Sequence, residues 1–412
     1  MLNSLIHLIQ PLKNKTFRRL WVGQFLNVSG DAIFGVAIGL VLLKRAHPSQ
    51  DLGLLLGTLA VGSTVSLILG GVLADRFRKS RVLITSDILR LFGVLEIIFL
   101  SHNASLPLLS LFGLLIGIGE GIYRPTYAAL IPEIVDKEEI RAASGLRSAT
   151  NRVGTIIGAA LGGVLSSFAN PIIALWLDAA TFTISIIILL LIPDSIKEKN
   201  KKENLLKSSI SAFSYVVSKP WIGAIIIQGM LQVAFVVAPV TILLPLVFGN
   251  KHPELYGITL SLEAIGAFIG SLVGASFNTS RQGLYAMIAL MLQAPQLIIL
   301  ATGYYDWLLL PAGFLTGFGL SVFGVIWMTS LQLTTPREKL GRVLSIDALG
   351  NSVISPVGFI IVGHYIPILG FKIVAWIALG VLILTILGSL LVPGVIHFGN
   401  KKISSNIGGN HV

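Results

Sequence analysis

Cysteine is absent from this 412-residue chain, which excludes a disulfide framework, a thiolate metal site and a catalytic thiol. Charge is scarce as well. Asp, Glu, Lys and Arg together make up 12% of the residues, about half the share found in a soluble domain. No phosphate-cradling Gly-x-x-x-x-Gly-Lys-Ser/Thr run occurs, so transport driven by ATP at such a loop is not indicated. The histidines (His7, His47, His102, His252, His364, His397 and His411) stand at segment ends or in loops, without metal-ligand spacing and without a Ser/His/Asp set around them. These absences point to no enzyme, no metal and no cofactor.

What is abundant is apolar surface: 54% of the residues are hydrophobic and the mean hydropathy is +0.85. A bilayer-crossing helix needs about 20 apolar residues, and twelve runs qualify: 20–43, 52–74, 82–102, 106–130, 150–168, 171–193, 221–247, 255–276, 283–302, 307–333, 343–364 and 371–394. The runs are continuous, not alternating, which excludes barrel strands. Forty-three glycines spread through them imply close helix contacts and bending points. The first ten residues are too short for a cleavable signal peptide, so the first span is read as its own insertion signal.

The net charge of +11 would suit nucleic acid were it not so unevenly placed. With the N-terminus inside, 24 of the 30 Lys and Arg residues fall in inner segments and only Lys44, Arg45, Lys251 and Lys372 in outer ones. Arg90 and Arg124 lie within or at the ends of spans. Inner-side enrichment of Lys and Arg is the membrane topology rule, so both termini are expected in the cytoplasm of a multi-pass protein of the cell membrane. The longest polar stretch, 194–220, separates six spans from six. The expected organisation is a bundle over 1–195, a cytoplasmic linker over 196–218, a second bundle over 219–394 and a polar tail over 395–412. Leu206, Ile210, Phe213 and Val217 fall at helical spacing and predict an amphipathic inner-surface helix over Leu205–Ser218. The halves read as a duplication: Gly154, Gly158 and Gly163 parallel Gly358 and Gly363, and the basic loops 136–141 and 336–342 correspond.

Two motifs carry mechanism, and four further stretches add a likeness. Gly71, Asp75, Arg76 and Lys79, in the turn of about ten residues after span 2, match the pattern Gly-x-x-x-Asp-Arg-x-Gly-Arg-Arg, with Arg78 and Ser80 departing from it. Span 5 holds Gly154, Gly158, Gly162 and Gly163 in the spacing Gly-x-x-x-Gly-Pro-x-x-Gly-Gly, with Ala159 in place of the proline. The further stretches are Phe17–Phe25 leading to Ser29–Asp31, Arg124–Pro132, Asp178–Phe182 with Ser185, and Leu340–Ser345. By these residues the chain resembles the major facilitator superfamily, and within it the branch of enterobactin exporters and macrolide-efflux proteins. The resemblance implies an all-α membrane protein with twelve transmembrane helices in two pseudo-symmetric six-helix bundles. It implies a gate latch at Gly71, Asp75, Arg76 and Lys79, which Asp87 and Arg90 would extend, and an antiporter-type helix 5. It also implies helices 1, 4, 7 and 10 around a central cavity.

Intramembrane acids are costly and so mark function or a partner. Asp31, midway along span 1, has no charged neighbour at helical spacing and is the first choice for proton coupling; its alternative is a structural hydrogen bond. Glu120 and Arg124 sit one turn apart in span 4 and form either a self-neutralised pair or a cavity site. Glu263 is a further proton-coupling candidate beside Asp31, Glu120 and Arg124; it, Glu96 and Asp178 are read as lying in the outer parts of their spans. Gln228 and Gln232 offer hydrogen bonds either to cargo or to neighbouring helices. The expected function is proton-coupled efflux of amphipathic small molecules, macrolide-like drugs or siderophores, by alternating access. The partners are the small molecule, protons and the bilayer, with no nucleic acid and a working monomer. The alternatives are a symporter or lipid transporter on the same fold, or a membrane sensor or scaffold that transports nothing.

Overall fold

The computed structural model describes residues 10–100, 105–168, 170–192, 215–249, 252–277, 279–303 and 306–398. Twelve long helices occur among them: α1 (Lys15–Leu42), α2 (Pro48–Arg76), α3 (Lys79–Leu100), α4 (Leu106–Ile134), α5 (Ile140–Phe168), α6 (Pro171–Leu190), α7 (Pro220–Phe248), α8 (Pro253–Ser276), α9 (Gln282–Thr302), α10 (Leu309–Thr334), α11 (Arg337–Leu369) and α12 (Phe371–Leu390). No strand occurs among the described residues. Ten of the helices are long and apolar enough to cross a membrane. The two that fall short are α3, with Asp87, Arg90 and Glu96 in its middle, and α5, with Arg147 and Arg152 in its first half. The fold is that of a multi-pass membrane protein. Of the linker helix expected over Leu205–Ser218, only Tyr215–Ser218 is helical here; the rest lies outside the described residues.

Helix starts follow local chemistry. The Asn14 side chain accepts the backbone N–H groups of Thr16 and Phe17 at 2.9 and 3.2 Å and so caps α1. Prolines occupy the first turn of α2, α4, α6 and α7, where a missing N–H costs nothing. Hydropathy placed other boundaries too far inward. Only Phe77 and Arg78 separate α2 from α3, in place of a turn of about ten residues, and α5 and α11 begin at Ile140 and Arg337 instead of 150 and 343. Their polar first turns are rich in Arg, Ala, Leu and Lys, good helix formers that an apolarity count overlooks.

The chain forms two compact units, one drawn from Met1–Lys201 and Pro245–Ser261 and the other from Lys202–Leu244 and Leu262–Val412. In the first, α6 shows how the bundle is sided. Ala174, Leu175, Asp178, Thr181, Phe182, Ser185 and Leu189 form a buried stripe, while Ile173, Trp176, Ile184, Ile187 and Leu190 are exposed apolar residues on the opposite face. An outward apolar stripe of that extent suits a lipid surface. Helix α1 packs against α5 and α6, α2 against α4, and α3 against α4 and α6.

Glycine sets how close the helices come. A Cβ on Gly158 would overlap the Ser29 carbonyl oxygen, and those of Gly154 and Gly162 would press on Val28 and Ile33, so this face of α5 lies directly on the backbone of α1. Gly163 meets Gly257 at the start of α8 instead. The second unit repeats the device. Gly266, Gly270 and Gly317 seat α8 on α10 as Gly62, Gly117 and Gly121 seat α2 on α4. There α7 is interrupted by a π-helical turn at Val233–Val237, and Gly358 of α11 sits against Ala234 within it. The C-terminal segment departs from the expected polar tail at its first residues: Val395 and Phe398 are fully buried, and Phe398 packs between Trp221 and Trp327 with ring centroids 5.7 Å from each. An indole pair offers more contact to an aromatic ring than solvent does, and this anchors the residues that follow α12.

Gly158→Ala is expected to lower the thermal unfolding midpoint in detergent by several degrees, because the added methyl strikes backbone. Gly35→Ala in α1, where a Cβ meets open space, should leave it unchanged or raise it, alanine being the better helix former by about 1 kcal/mol. Equal midpoints for the two variants would refute the close α1–α5 contact.

Candidate functional site

Three helices of the first unit deliver one charged cluster. Arg90 of α3 is 2% exposed, and its guanidinium forms ion pairs with Asp31 of α1 through Nη2 and, at 3.5 Å through Nη1, with Asp87 one turn before it. Asp87 is fully buried; it accepts two hydrogen bonds from Asn27 Nδ2 at 3.1 and 3.2 Å and one from Ser185 Oγ at 2.7 Å. The Arg90 guanidinium lies over the Phe182 ring of α6 at 4.3 Å and beside that of Tyr123 at 5.6 Å, so aromatic faces cover the cation where no carboxylate does. Its stem crosses α4 at Gly119, where a Cβ would meet Arg90 Cγ at 2.5 Å.

Asp31 is the exposed end of this cluster, with 47% of its side chain accessible. It opens into a cavity of about 520 Å³ lined by α1 (Gln24, Asn27, Val28, Asp31, Ala32), Arg90 of α3, α4 (Glu120, Tyr123, Arg124, Tyr127) and α5 (Arg147, Asn151, Thr155). That volume is within the range of small-molecule sites. Glu120 and Arg124 pair with each other on the α4 wall. Tyr123 and Tyr127 stack at 5.9 Å, and the Arg147 guanidinium lies 5.4 Å from the Tyr127 ring with no acidic partner among the described residues. Gln24 Nε2 donates to Asn151 Oδ1 at 3.1 Å and ties α1 to α5 across the cavity floor.

The structure therefore joins residues that the sequence had kept apart. Asp31 was read as lacking a charged neighbour on its own helix, and Asp87 and Arg90 as extending the gate turn; together they make one network. Asp31 lacks a charged neighbour on its own helix, and its partner is 59 positions away on α3. Lys79 does reach another helix, pairing with Glu133 at the end of α4. Asp75 is exposed, with no hydrogen bond or ion pair among the described residues, and a Cβ on Gly71 would meet nothing. Glu263 is half-buried in α8 without a partner among those residues. The glutamines bond neighbouring helices: Gln228 Nε2 lies 3.4 Å from the Met287 sulfur of α9, and Gln232 Nε2 donates to Thr385 Oγ1 of α12 at 3.1 Å. Asp178 is not near a helix end in depth. It lies against Gly30, midway along α1, because seven residues of α6 precede it, about 10 Å of helix. Residues missed on reading the sequence are Asn27, Tyr123, Tyr127, Arg147, Asn151 and, in α11, Asp347, whose carboxylate accepts Trp327 Nε1–H at 3.3 Å. Asn27 had a signal, one helical turn before Asp31; the others had none.

Arg90→Met is expected to cost about 3–5 kcal/mol of stability, the usual penalty for leaving one buried partner charged and unpaired. Replacing Asp87 by Asn in the same chain should recover most of the loss. Thermal unfolding of both variants in detergent checks this; a double variant no better than the single would show that Asp87 does not depend on Arg90.

The comparisons with known proteins agree with this architecture. The family model of the Major Facilitator Superfamily matches residues 20–304. A protein named enterobactin exporter EntS from Citrobacter koseri is 29% identical over 401 residues, covering 91% of this chain and 92% of that one. Its namesake from Shigella boydii serotype 18 is 28% identical over 368 residues, covering 83% and 85%. Among solved structures, the nucleoside transporter NupG superposes with a TM-score of 0.74 at 14% identity, covering 91% of this chain and 98% of that chain. A D-xylose-proton symporter does so with 0.70 at 13%, covering 93% and 98%. At such low identity the structures speak for the fold alone. The family match over residues 20–304, with the exporter-named relatives, makes the protein a secondary transporter and not an enzyme, and the chain belongs to the Major Facilitator Superfamily.

Proposed function

We propose that the protein is a proton-coupled exporter of amphipathic, anionic molecules of the siderophore kind, working by alternating access in the cell membrane with both termini in the cytoplasm. The observation that carries this reading is the first-unit cavity. Its lining holds three arginines (Arg90, Arg124, Arg147) against two carboxylates (Asp31, Glu120); Asp31 and Asp87 hold Arg90 and Glu120 holds Arg124, which leaves Arg147 as the lining cation without an acidic partner among the described residues. A cationic macrolide-like drug would meet repulsion from Arg147, whereas an anionic molecule could pair with it. Export, and not uptake, is supported by the relatives named as enterobactin exporters and by the glycine spacing of α5.

Proton coupling is supported by Asp31. Its carboxylate faces the cavity while sharing Arg90 with a fully buried Asp87. Protonating Asp31 would break its ion pair and leave Arg90 to the other acids around it, so proton binding changes the contacts between α1 and α3. A ligand drives a two-state element only through such differential contacts.

The test is transport into everted vesicles with enterobactin as the probe. Uptake should require an imposed proton gradient and should collapse with a protonophore; movement in the opposite sense under the same gradient would mark a symporter. Asp31→Asn should abolish gradient-driven uptake yet leave downhill exchange, because exchange needs no net proton movement. Wild-type uphill transport by Asp31→Asn would sink the assignment. Arg147→Gln should raise the half-saturating enterobactin concentration about tenfold, the equivalent of one charge-assisted hydrogen bond of about 1.4 kcal/mol. An unchanged value would remove Arg147 from the cargo site.

Topology is checked separately with single cysteines, which the native chain lacks. A cysteine at His47, exposed between α1 and α2, should react with an impermeant maleimide from outside, and one at Glu138, exposed between α4 and α5, should not. The reverse pattern would invert the orientation.

A further inference from the structure

Beside the Arg90 cluster lies an acid that the reading above does not use. Asp178 is 1% exposed, and among the described residues its carboxyl oxygens have no neighbour to bond beyond the Thr181 hydroxyl, which donates at 2.7 Å to the Asp178 backbone carbonyl. It shares a face of α6 with Phe182, whose ring carries the Arg90 guanidinium, and with Ser185, which binds Asp87. From α1 it is met by the backbone of Gly30, the residue before Asp31: a Cβ on Gly30 would overlap Asp178 Oδ1. The same pocket holds the matching defect. Arg90 Nε is buried and has no acceptor. A carboxyl without an ionic partner and a donor without an acceptor thus stand on neighbouring helices, within electrostatic reach of each other.

An isolated carboxylate ion in an apolar interior costs far more than a neutral acid there, and a buried acid without partners is met by keeping its proton. The charged groups facing Asp178 are Asp31 from α1 and Arg90 and Asp87 from α3. The part of α5 that packs nearby, Gly154–Phe168, contains no charged residue. Only one cation therefore serves three acids, and Asp31 and Asp87 already hold it.

We propose that Asp178 is a proton-holding site, neutral while Arg90 is bound to Asp31, and that the two acids exchange proton and guanidinium during the transport cycle. In the exchange, the Asp178 proton passes to the Asp31 carboxylate. The Asp31–Arg90 ion pair breaks, Arg90 turns its free Nε–H and one Nη–H onto the Asp178 carboxylate, and the proton now on Asp31 stands at the cavity. Charge in the buried region is the same before and after, so no uncompensated ion is created. Asp31 is the mouth of this route and Asp178 its store. The inference rests on the proton-coupled reading for its purpose, but the protonation state of Asp178 can be measured without any transport.

The experiment is infrared difference spectroscopy on the purified full chain in nanodiscs at neutral pH. The C=O stretch of a protonated carboxyl lies clear of the amide and carboxylate bands. Wild type should show such a band, Asp178→Asn should lose it, and Asp178→Glu should move it. Asp31→Asn should also lose it, since Arg90, released from position 31, then binds and ionises Asp178; a purely structural Asp178 would not respond to a change on another helix. Asp178→Asn should unfold at the wild-type temperature, because a neutral amide replaces a neutral acid. A band that persists in Asp178→Asn or in Asp31→Asn, or no protonated carboxyl in the wild type, overturns the proposal. If instead the bands behave as stated and wild-type transport ignores the proton gradient, it is the coupled-exporter reading that fails.

Discussion

A guanidinium without water has to be satisfied by the protein, and the first unit is arranged around that requirement. Arg90 is almost wholly enclosed. Asp31 and Asp87 supply the countercharge, Phe182 and Tyr123 the π faces, and Gly119 the space for its stem. Each comes from a different place in the bundle: α1, α3, α6 and α4. Buried ion pairs add little net stability once desolvation is counted, but losing one partner is severe. The cluster thus acts less as a source of stability than as a constraint on which helices may stand beside α3, and it can be rearranged by moving a single proton.

Glycine makes that arrangement reachable. Where α5 lies on α1 and α2 on α4, added methyl groups would strike backbone atoms. Without a hydrophobic drive between helices in lipid, close van der Waals approach and interhelical hydrogen bonds are what hold a bundle together. The consequence for the site is direct: Gly30 brings α1 near enough to α6 to bury Asp178 beside Asp31, and Gly158 holds the same turn of α1, at Ser29 and Ala32, on α5. A methyl group at either place would separate the charges that the cavity depends on. The second unit uses the same device along α8 and α10, and the repeated packing is stronger testimony to duplication than the faint letter-by-letter similarity of the halves.

Much of this was legible in the chain. The apolar runs gave the helices, because a span crossing lipid must satisfy its own backbone and so shows up as uninterrupted hydrophobicity. Asp31, Glu120, Arg124, Asp87 and Arg90 stood out, because charge in such runs is rare. The i to i+4 spacing of Glu120 and Arg124 even announced their pair. The boundaries of α5 and α11 were misjudged, since a helix extends past the bilayer wherever its polar residues favour helix, and hydropathy is silent on that. Gln228 and Gln232 could be read as facing cargo or neighbouring helices, and the contacts with Met287 and Thr385 follow from which way α7 is rotated.

The sequence by itself determined the class of molecule, the spans, the family and the small-residue faces, all of which depend on neighbours within a turn or two. Only the tertiary structure decided who neutralises whom. Asp31 meets Arg90 across 59 positions, Asp87 meets Ser185 across 98, and Asp178 is left without an ion pair among the described residues. The physical reason is that ion pairs and burial depend on distances between helices. Those distances follow from how every glycine, ring and turn packs together, and no stretch of one helix encodes them.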